Sequence, residues 1–254
     1  MKALERTTAM RGQQRVVRWL LHACGMLLLL VGMAVAVPVM AEEPLQLPDG
    51  IKKGSIGALL LQAPQEILPT ITVKNRLEAL QKYQMLQRGQ VSTSEPATIF
   101  NIPVQVKVLT EQYLQMELDP HVELQMLKLP LYGWGRYLVA IILTHQRPGV
   151  PTQSVIAFYD KKWQQQPMER WFALPDAEAF LQGTEGKISQ YALKAALGQV
   201  LHPSYRMFVG SDARSLLLEW TTYDDARFES TPKPLEPFIR PIKLVWHKRK
   251  GFVR

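Results

Sequence analysis

The first 41 residues limit which part of this chain can fold as a domain. Five basic residues precede a largely apolar segment that runs from Trp19 to Val39. The segment ends at Val39-Met40-Ala41, directly before the acidic pair Glu42-Glu43. A basic start, an apolar centre and small residues at the third and first positions before a junction are typical of a secretory signal peptide. We therefore expect cleavage between Ala41 and Glu42, which leaves residues 42–254 to fold.

A membrane anchor is the alternative interpretation of this segment, because about 20 apolar residues can cross a bilayer. Pro38 and the junction at Ala41 favour cleavage instead. A lipidated Cys24 is disfavoured, since the apolar run continues well beyond it. The sequence thus predicts a protein of the periplasm or the cell exterior, with no stable membrane span after cleavage.

Removal of this leader changes the chemistry that the chain can offer. Cys24 is the only cysteine, so the remaining protein has no disulfide, thiolate nucleophile or cysteine-ligated metal. The leader also holds five of the 30 basic residues and one of the 22 acidic residues, which leaves 25 and 21. The net charge falls from +8 to +4, and this modest value gives no support to nucleic-acid binding.

The hydrophobic pattern predicts helices first and strands afterwards. Apolar residues at helical spacing follow Ile56, and Thr72 is a candidate N-cap for a second helix that ends near Gly89. On this second helix the pattern turns Arg76, Glu78, Lys82 and Arg88 toward water.

Alternation with a period of two then predicts several strands. The run Tyr137–Leu143 is more continuously apolar, a short helix is expected from Pro175, and the region around Ile188–Val200 favours a helix. Further strands are expected over Tyr205–Val209, Leu216–Thr222 and Ile242–Trp246. The whole pattern predicts one α+β domain over residues 42–254, with N-terminal helices packed on an antiparallel β-meander and a short helix between strand groups.

The search for catalytic or cofactor-binding motifs gives no candidate of strong specificity. The four histidines outside the leader (His121, His145, His202 and His247) have no metal-binding spacing, and no nucleotide-binding or nucleophile motif is present. His121 and Glu123 could share one strand face as two metal ligands, although a solvated strand edge is the simpler interpretation. Asp224-Asp225 is typical of a turn. We predict no cofactor, no metal site and no catalytic residue.

Two segments have a composition suited to binding a partner. Leu131–Arg136 places Tyr132, Trp134 and Arg136 among two glycines between predicted strands. Exposed Trp, Tyr and Arg are enriched at the energetic centres of protein interfaces. The alternative is that Trp134 folds back over the sheet edge. The basic run His247–Lys250 is interpreted as a solvated hairpin turn, with an acidic partner as the alternative.

The chain also resembles a known family over most of residues 42–254. The segment Ala63–Pro69 followed by Thr72 and Lys74-Asn75-Arg76 is similar to the opening of an uncharacterised family of exported proteins from anaerobic Gram-negative bacteria, known only as a domain of unknown function. Further similarities are Leu109-Thr110 before Tyr113-Leu114, Phe158-Tyr159-Asp160 before Trp163, and Leu235–Phe238 leading to Trp246.

This resemblance implies export and an α+β fold, but no activity, ligand or site residue. Members of the family often carry cysteines at positions near 144–153, where this chain has Thr144-His145-Gln146 and Gln153-Ser154. A role that depends on those thiols therefore does not apply to this chain.

These observations favour an exported, non-catalytic binding or interaction domain whose partner is an unknown envelope protein or ligand. Two alternatives remain open at the level of sequence. One is a hydrolase that uses carboxylates without a recognisable motif, and the other is a periplasmic carrier of apolar ligands. Convergent acids or a histidine pair would favour the enzyme, a deep apolar cavity the carrier, and exposed aromatic residues the binding domain.

Overall fold

Six antiparallel strands form the larger of two sheets. The computed structural model of the chain describes residues 47–198, 204–221 and 235–254. The strands of the first sheet lie side by side in chain order, and every neighbouring pair is antiparallel. Their bounds are Gln105–Leu109 (β1), Tyr113–Asp119 (β2), Val122–Pro130 (β3), Tyr137–His145 (β4), Gln153–Tyr159 (β5) and Gln165–Gln166 (β6).

Four later strands form a second sheet with the order β10-β9-β8-β7. They are Ser204–Val209 (β7), Ser215–Thr221 (β8), Ile242–His247 (β9) and Gly251–Val253 (β10). The periodicity predicts one meander, and the structure corrects this to two antiparallel sheets. The first sheet stops at β6, which has only two residues and is followed by Pro167. Proline has no N–H to donate to a continued ladder.

Within the described residues three α-helices accompany the sheets, so the fold is mixed α+β and mostly β. The helices are Ile56–Gln62 (α1), Val73–Gln87 (α2) and Gln190–Gly198 (α3), and 3-10 helices occupy Met168–Arg170, Ala177–Phe180 and Glu236–Phe238. The Thr72 hydroxyl accepts a hydrogen bond from the Asn75 N–H at 3.2 Å, which confirms the predicted cap of α2. The helix expected from Pro175 is a single 3-10 turn.

Strand β4 is buried on both faces, which explains its continuous apolar sequence. Leu138, Ala140 and Ile142 belong to one buried cluster, together with residues of β8 and β9 such as Leu218 and Leu244. The alternating residues Val139 and Ile141 belong to a second cluster. That second cluster also contains these residues of α1, α2 and β2: Ile56, Leu60, Leu80, Leu114 and Met116.

Arg76 is fully buried, contrary to the expectation that it faces water. Its guanidinium donates to the carbonyl oxygens of Ile71 at 3.0 Å and Leu68 at 3.1 Å, and also to that of Ala63. The side chain therefore satisfies carbonyl groups of the turn between α1 and α2. Burial lowers the pKa of Arg76 to about 10. The helical pattern predicts that Arg76 belongs to α2. It does not predict the hydrogen bonds to carbonyl groups that keep its side chain buried.

Several predictions concern residues outside the described ranges. These are the leader with its junction at Ala41 and Glu42, His202, and Asp224-Asp225. Within the residues that the structure does describe, no helix combines the length and apolar character needed to cross a bilayer.

Candidate functional site

The loop between β3 and β4 is closed at its base and bent by two glycines. The Leu131 N–H donates to the Arg136 carbonyl oxygen at 2.9 Å, which joins the two ends of the loop. Gly133 and Gly135 have φ angles of 106° and 63°, a region that side chains with a Cβ atom rarely adopt. Trp246 contacts the base from β9, where its indole N–H donates to the Pro130 carbonyl oxygen at 2.7 Å.

Tyr132 connects this loop to the turn between β9 and β10. Its N–H donates to the Lys248 carbonyl oxygen at 3.3 Å. The guanidinium carbon of Arg249 lies 3.9 Å from the centroid of the Tyr132 ring, which is a cation–π contact. Two segments more than 100 residues apart in the chain therefore form one surface.

Trp134 extends from the loop into solvent. Its exposed fraction is 103% of the reference area, higher than that of any other large apolar residue among the described ones. The alternative in which Trp134 folds back over the sheet edge is therefore wrong. Arg136 is also exposed, and Tyr132 is 63% exposed. The structure places all three predicted residues on one loop, and it adds Lys248 and Arg249 beside them.

A pocket of about 330 Å³ lies beneath this loop. Three cationic side chains line it: Lys128 from β3, Arg136 from the loop and Lys248 from the β9–β10 turn. The Lys128 ammonium donates to the Gly54 carbonyl oxygen and lies 4.8 Å from the centroid of the Tyr137 ring. Burial raises the pKa of the Tyr137 phenol above its ordinary value. We name this cavity the loop pocket.

A carboxylate close to the loop pocket already has a partner. Glu111 forms a hydrogen-bonded ion pair with Lys52. This hydrogen bond and the charge of Lys52 lower the pKa of Glu111, and the more distant charge of Lys128 adds a smaller effect. Among the ion pairs within the described residues, none involves Lys128, Arg136 or Lys248. The positive charge of the loop pocket is thus not balanced by an ion pair with a neighbouring side chain in that part of the chain.

Comparison with protein families assigns this chain to a family. The profile of a family described as "Protein of unknown function (DUF3256)" matches residues 50–251. The chain belongs to this family. The match confirms the resemblance to a domain of unknown function, and it includes the loop, the β9–β10 turn and all lining residues of the loop pocket.

One solved structure with a similar fold is described as "Structure of a domain of an uncharacterized protein from Porphyromonas gingivalis W83". The two chains are 21% identical, with a TM-score of 0.60 over 79% of this chain and 98% of the other. This similarity concerns the fold alone. The search of curated proteins finds no match.

A second pocket, of about 560 Å³, lies between the β1–β2 and β7–β8 turns. Asp212 lines it, but its carboxylate accepts hydrogen bonds from the Arg214 N–H, the Ser215 hydroxyl and the Ser215 N–H. These bonds lower the pKa of Asp212. The carboxylate therefore closes the β7–β8 turn in its ionised form, and this role does not require it to act as a catalytic base.

The histidine candidates are held by ordinary surface contacts. The His121 Nδ1 lies 2.8 Å from the Gln146 carbonyl oxygen, and Glu123 accepts a hydrogen bond from the Gln115 amide at 2.9 Å. His247 Nδ1 accepts from the Arg249 N–H at 3.3 Å and stabilises the β9–β10 turn. Within residues 47–198, 204–221 and 235–254, no group of three or more His, Cys, Asp or Glu side chains could hold a metal.

Proposed function

We propose that this protein is exported and acts by binding an envelope partner or ligand through a cationic–aromatic surface. This surface consists of Tyr132, Trp134, Arg136, Lys248 and Arg249. The observation that carries the proposal is the full exposure of Trp134 on a loop whose base is fixed.

Exposure of the Trp134 indole to water is unfavourable. Burial of a large aromatic side chain is favourable, and a partner that covers Trp134 recovers this free energy. The loop base is already ordered by the contacts of Leu131 and Tyr132, so binding loses less conformational entropy than it would with an unstructured loop. Trp, Tyr and Arg are also the residue types that dominate binding energy at interfaces.

The charge of the surface indicates the chemistry of its partner. Arg136, Lys248 and Arg249 are exposed cations, and Arg249 lies over the Tyr132 ring. Complementary charge increases the rate of association and disfavours partners of the wrong sign. We therefore infer that the partner presents negative charge around an apolar contact.

Export and origin are parts of the same proposal. The leader with its junction at Ala41 and Glu42 supports transport to the periplasm or cell surface. The family resemblance supports an anaerobic Gram-negative source. The two N-terminal helices, which share a buried cluster with β2, would serve as a structural layer on the β-meander.

Site-specific crosslinking in cells tests the binding role. A photo-crosslinking amino acid with an aromatic side chain, which keeps a ring at the position, replaces Trp134 in one variant and Phe100 in a matched control. Phe100 is 68% exposed and precedes the first residue of β1. The cationic–aromatic surface lies beyond the last residue of β1, so the two positions are at opposite ends of this strand. We expect a discrete crosslinked species from position 134 and none from position 100. Equal crosslinking at both positions, or none at position 134, would contradict a protein partner at this surface.

A further inference from the structure

We propose that the loop pocket binds a phosphate monoester group, an inference that rests on the binding role proposed above. Three like charges from three separate segments line one concavity of about 330 Å³. Their mutual repulsion is unfavourable. A bound anion converts this repulsion into attraction.

Two of the three cations, Lys128 and Arg136, are positioned by contacts that leave their positive charge without an ion pair in the described part of the chain. Lys128 is held between the Gly54 carbonyl oxygen and the face of the Tyr137 ring. The aliphatic part of Arg136 lies close to Gly133, where an added Cβ atom would be 3.2 Å from the Arg136 Cδ. Glycine at this position allows the arginine to approach the loop. The pocket is therefore partly formed before any ligand enters.

The number and type of cations favour phosphate over carboxylate. A phosphate monoester carries a charge of about −1.5 to −2 near pH 7 and has three acceptor oxygens. Arg136 can bind two of these oxygens with its planar fork, while Lys128 and Lys248 act as point charges. A carboxylate has one negative charge and only two oxygens. Trp134 and Tyr132, on the same loop as Arg136, would contact the apolar or ring portion of the molecule that carries the phosphate.

Calorimetric titration of the purified protein tests this assignment. The probes are glycerol phosphate, neutral glycerol, and glycerate as the carboxylate analogue. We expect glycerol phosphate to bind, glycerol to show no binding, and glycerate to bind at least about tenfold more weakly. Glycerate binding as tight as that of glycerol phosphate would overturn the assignment to phosphate.

Vesicle binding distinguishes a lipid headgroup from a soluble ligand. Phosphatidylcholine vesicles carrying phosphatidate present a phosphate monoester, and vesicles carrying phosphatidylglycerol at equal surface charge present only diesters. Preference for phosphatidate would identify a lipid source, whereas binding of glycerol phosphate alone would identify a soluble one. The proposal would be overturned if glycerol phosphate does not bind and the protein shows no preference between the vesicle types, whether it binds both equally or neither.

Matched variants locate the binding site. Arg136→Gln and Lys248→Gln should each weaken glycerol phosphate or phosphatidate binding by about tenfold or more, because each removes a charge-assisted contact. Lys250→Gln removes the same charge from the same turn but not from the pocket lining, and should have less than about a threefold effect. All three side chains are exposed, so folding should be retained. An equal loss in all three variants would show general electrostatic attraction and overturn the site.

The two proposals fail in different ways. A crosslinked partner at position 134 with no phosphate monoester binding would leave the binding role intact and reject the loop pocket as a phosphate site. Phosphate monoester binding that depends on Arg136 and Lys248, without any crosslink at position 134, would retain the site and reject the protein-partner part of the binding role.

Discussion

Gln125 of the first sheet is hydrogen-bonded to the backbone of Met207 in the second. The Gln125 amide N–H donates to the Met207 carbonyl oxygen at 3.2 Å, and the amide oxygen accepts from the Val209 N–H at 3.2 Å. The Met207 N–H in turn donates to the Ser154 hydroxyl at 2.9 Å. Strand β7 is the edge of its sheet, so these side chains replace the strand that is absent there.

This contact predicts a specific loss of stability on substitution of Gln125. Gln125 is 2% exposed, and Gln125→Leu would leave the buried Met207 carbonyl and the half-buried Val209 N–H without these partners. We expect the free energy of unfolding to fall by about 2–4 kcal/mol, since each unsatisfied buried group costs about 1–3 kcal/mol. Urea denaturation measures the change. Gln105→Leu, at an exposed position of β1, is the control and should change stability by less than about 0.5 kcal/mol.

Substitution of the buried Arg76 should be still more damaging. Arg76→Met keeps most of the apolar stem but removes donors from at least three backbone carbonyl groups. We expect a loss of more than about 3 kcal/mol in the free energy of unfolding. Arg88→Met, at the exposed C-cap of α2, should be nearly neutral. Comparable denaturation midpoints for the two variants would show that the carbonyl groups find other donors.

Buried tyrosines should make the protein sensitive to alkaline pH. Burial raises the pKa of Tyr205 to about 12, with a smaller contribution from the charge of Asp176. Its phenol thus keeps its proton to higher pH in the folded state than in the unfolded state, where the pKa is about 10. The contribution of the Tyr205 phenol to the free energy of unfolding is therefore complete below about pH 10. It decreases as the pH rises from about 10 to 12, because in this range the phenol loses its proton more easily in the unfolded state than in the folded state.

Tyr205→Phe isolates this effect. Between about pH 10 and 12, the free energy of unfolding should fall in both proteins. The fall should be about 1–3 kcal/mol smaller in the variant than in the wild type. Tyr191→Phe, at an exposed phenol, is the matched control. Denaturant titrations at pH values from about 9 to 12 provide the comparison. Parallel pH profiles for the wild type and Tyr205→Phe would refute the assignment.

Processing of the leader is a separate prediction. N-terminal sequencing of the protein from the cell envelope should begin at Glu42, because Val39 and Ala41 supply the small residues that signal peptidase requires. Ala41→Arg should block cleavage and leave a longer, membrane-associated precursor. An intact Met1 in the wild-type protein, or a lipid on Cys24, would contradict this prediction.

Local patterns predict much of the secondary structure, because the interactions that set it are close in sequence. The cap at Thr72 depends on Asn75, three residues away. The strand pattern from Val104 to Leu143 follows from alternation of side chains on a pleated backbone. The continuous run in β4 indicates burial on both faces, but it does not identify the second sheet that covers one of them.

Contacts between distant segments explain what the sequence could not predict. Gln125 lies between the apolar residues Leu124 and Met126, and the sequence around it does not identify its partner Met207, which is 82 residues away. The candidate site shows the same limit. Composition alone identifies Tyr132, Trp134 and Arg136, whereas the contribution of Lys248 and Arg249 depends on the docking of a turn from near the end of the chain.

Truncation of Trp134, on this loop, and of Trp246, at its base, should affect the free energy of unfolding very differently. Trp134 is fully exposed, and Trp134→Ala should change the free energy of unfolding by less than about 0.5 kcal/mol. Trp246 is 7% exposed, and its ring centroid lies 5.1 Å from that of Phe252 and 5.8 Å from that of Trp171. Trp246→Ala should cost about 3–5 kcal/mol, as large core truncations do.

Partner binding should be weakened more by truncation of Trp134 than by truncation of Trp246, when both variants are folded. Trp134→Ala should weaken pull-down of the partner identified by crosslinking by about 2 kcal/mol or more, the effect of losing an aromatic anchor at an interface. Trp246→Ala, assayed below its denaturation midpoint, should affect capture only as far as loss of the bond to the Pro130 carbonyl loosens the loop base. A strongly destabilised Trp134→Ala variant, or unchanged capture by it, would remove this loop as a binding site.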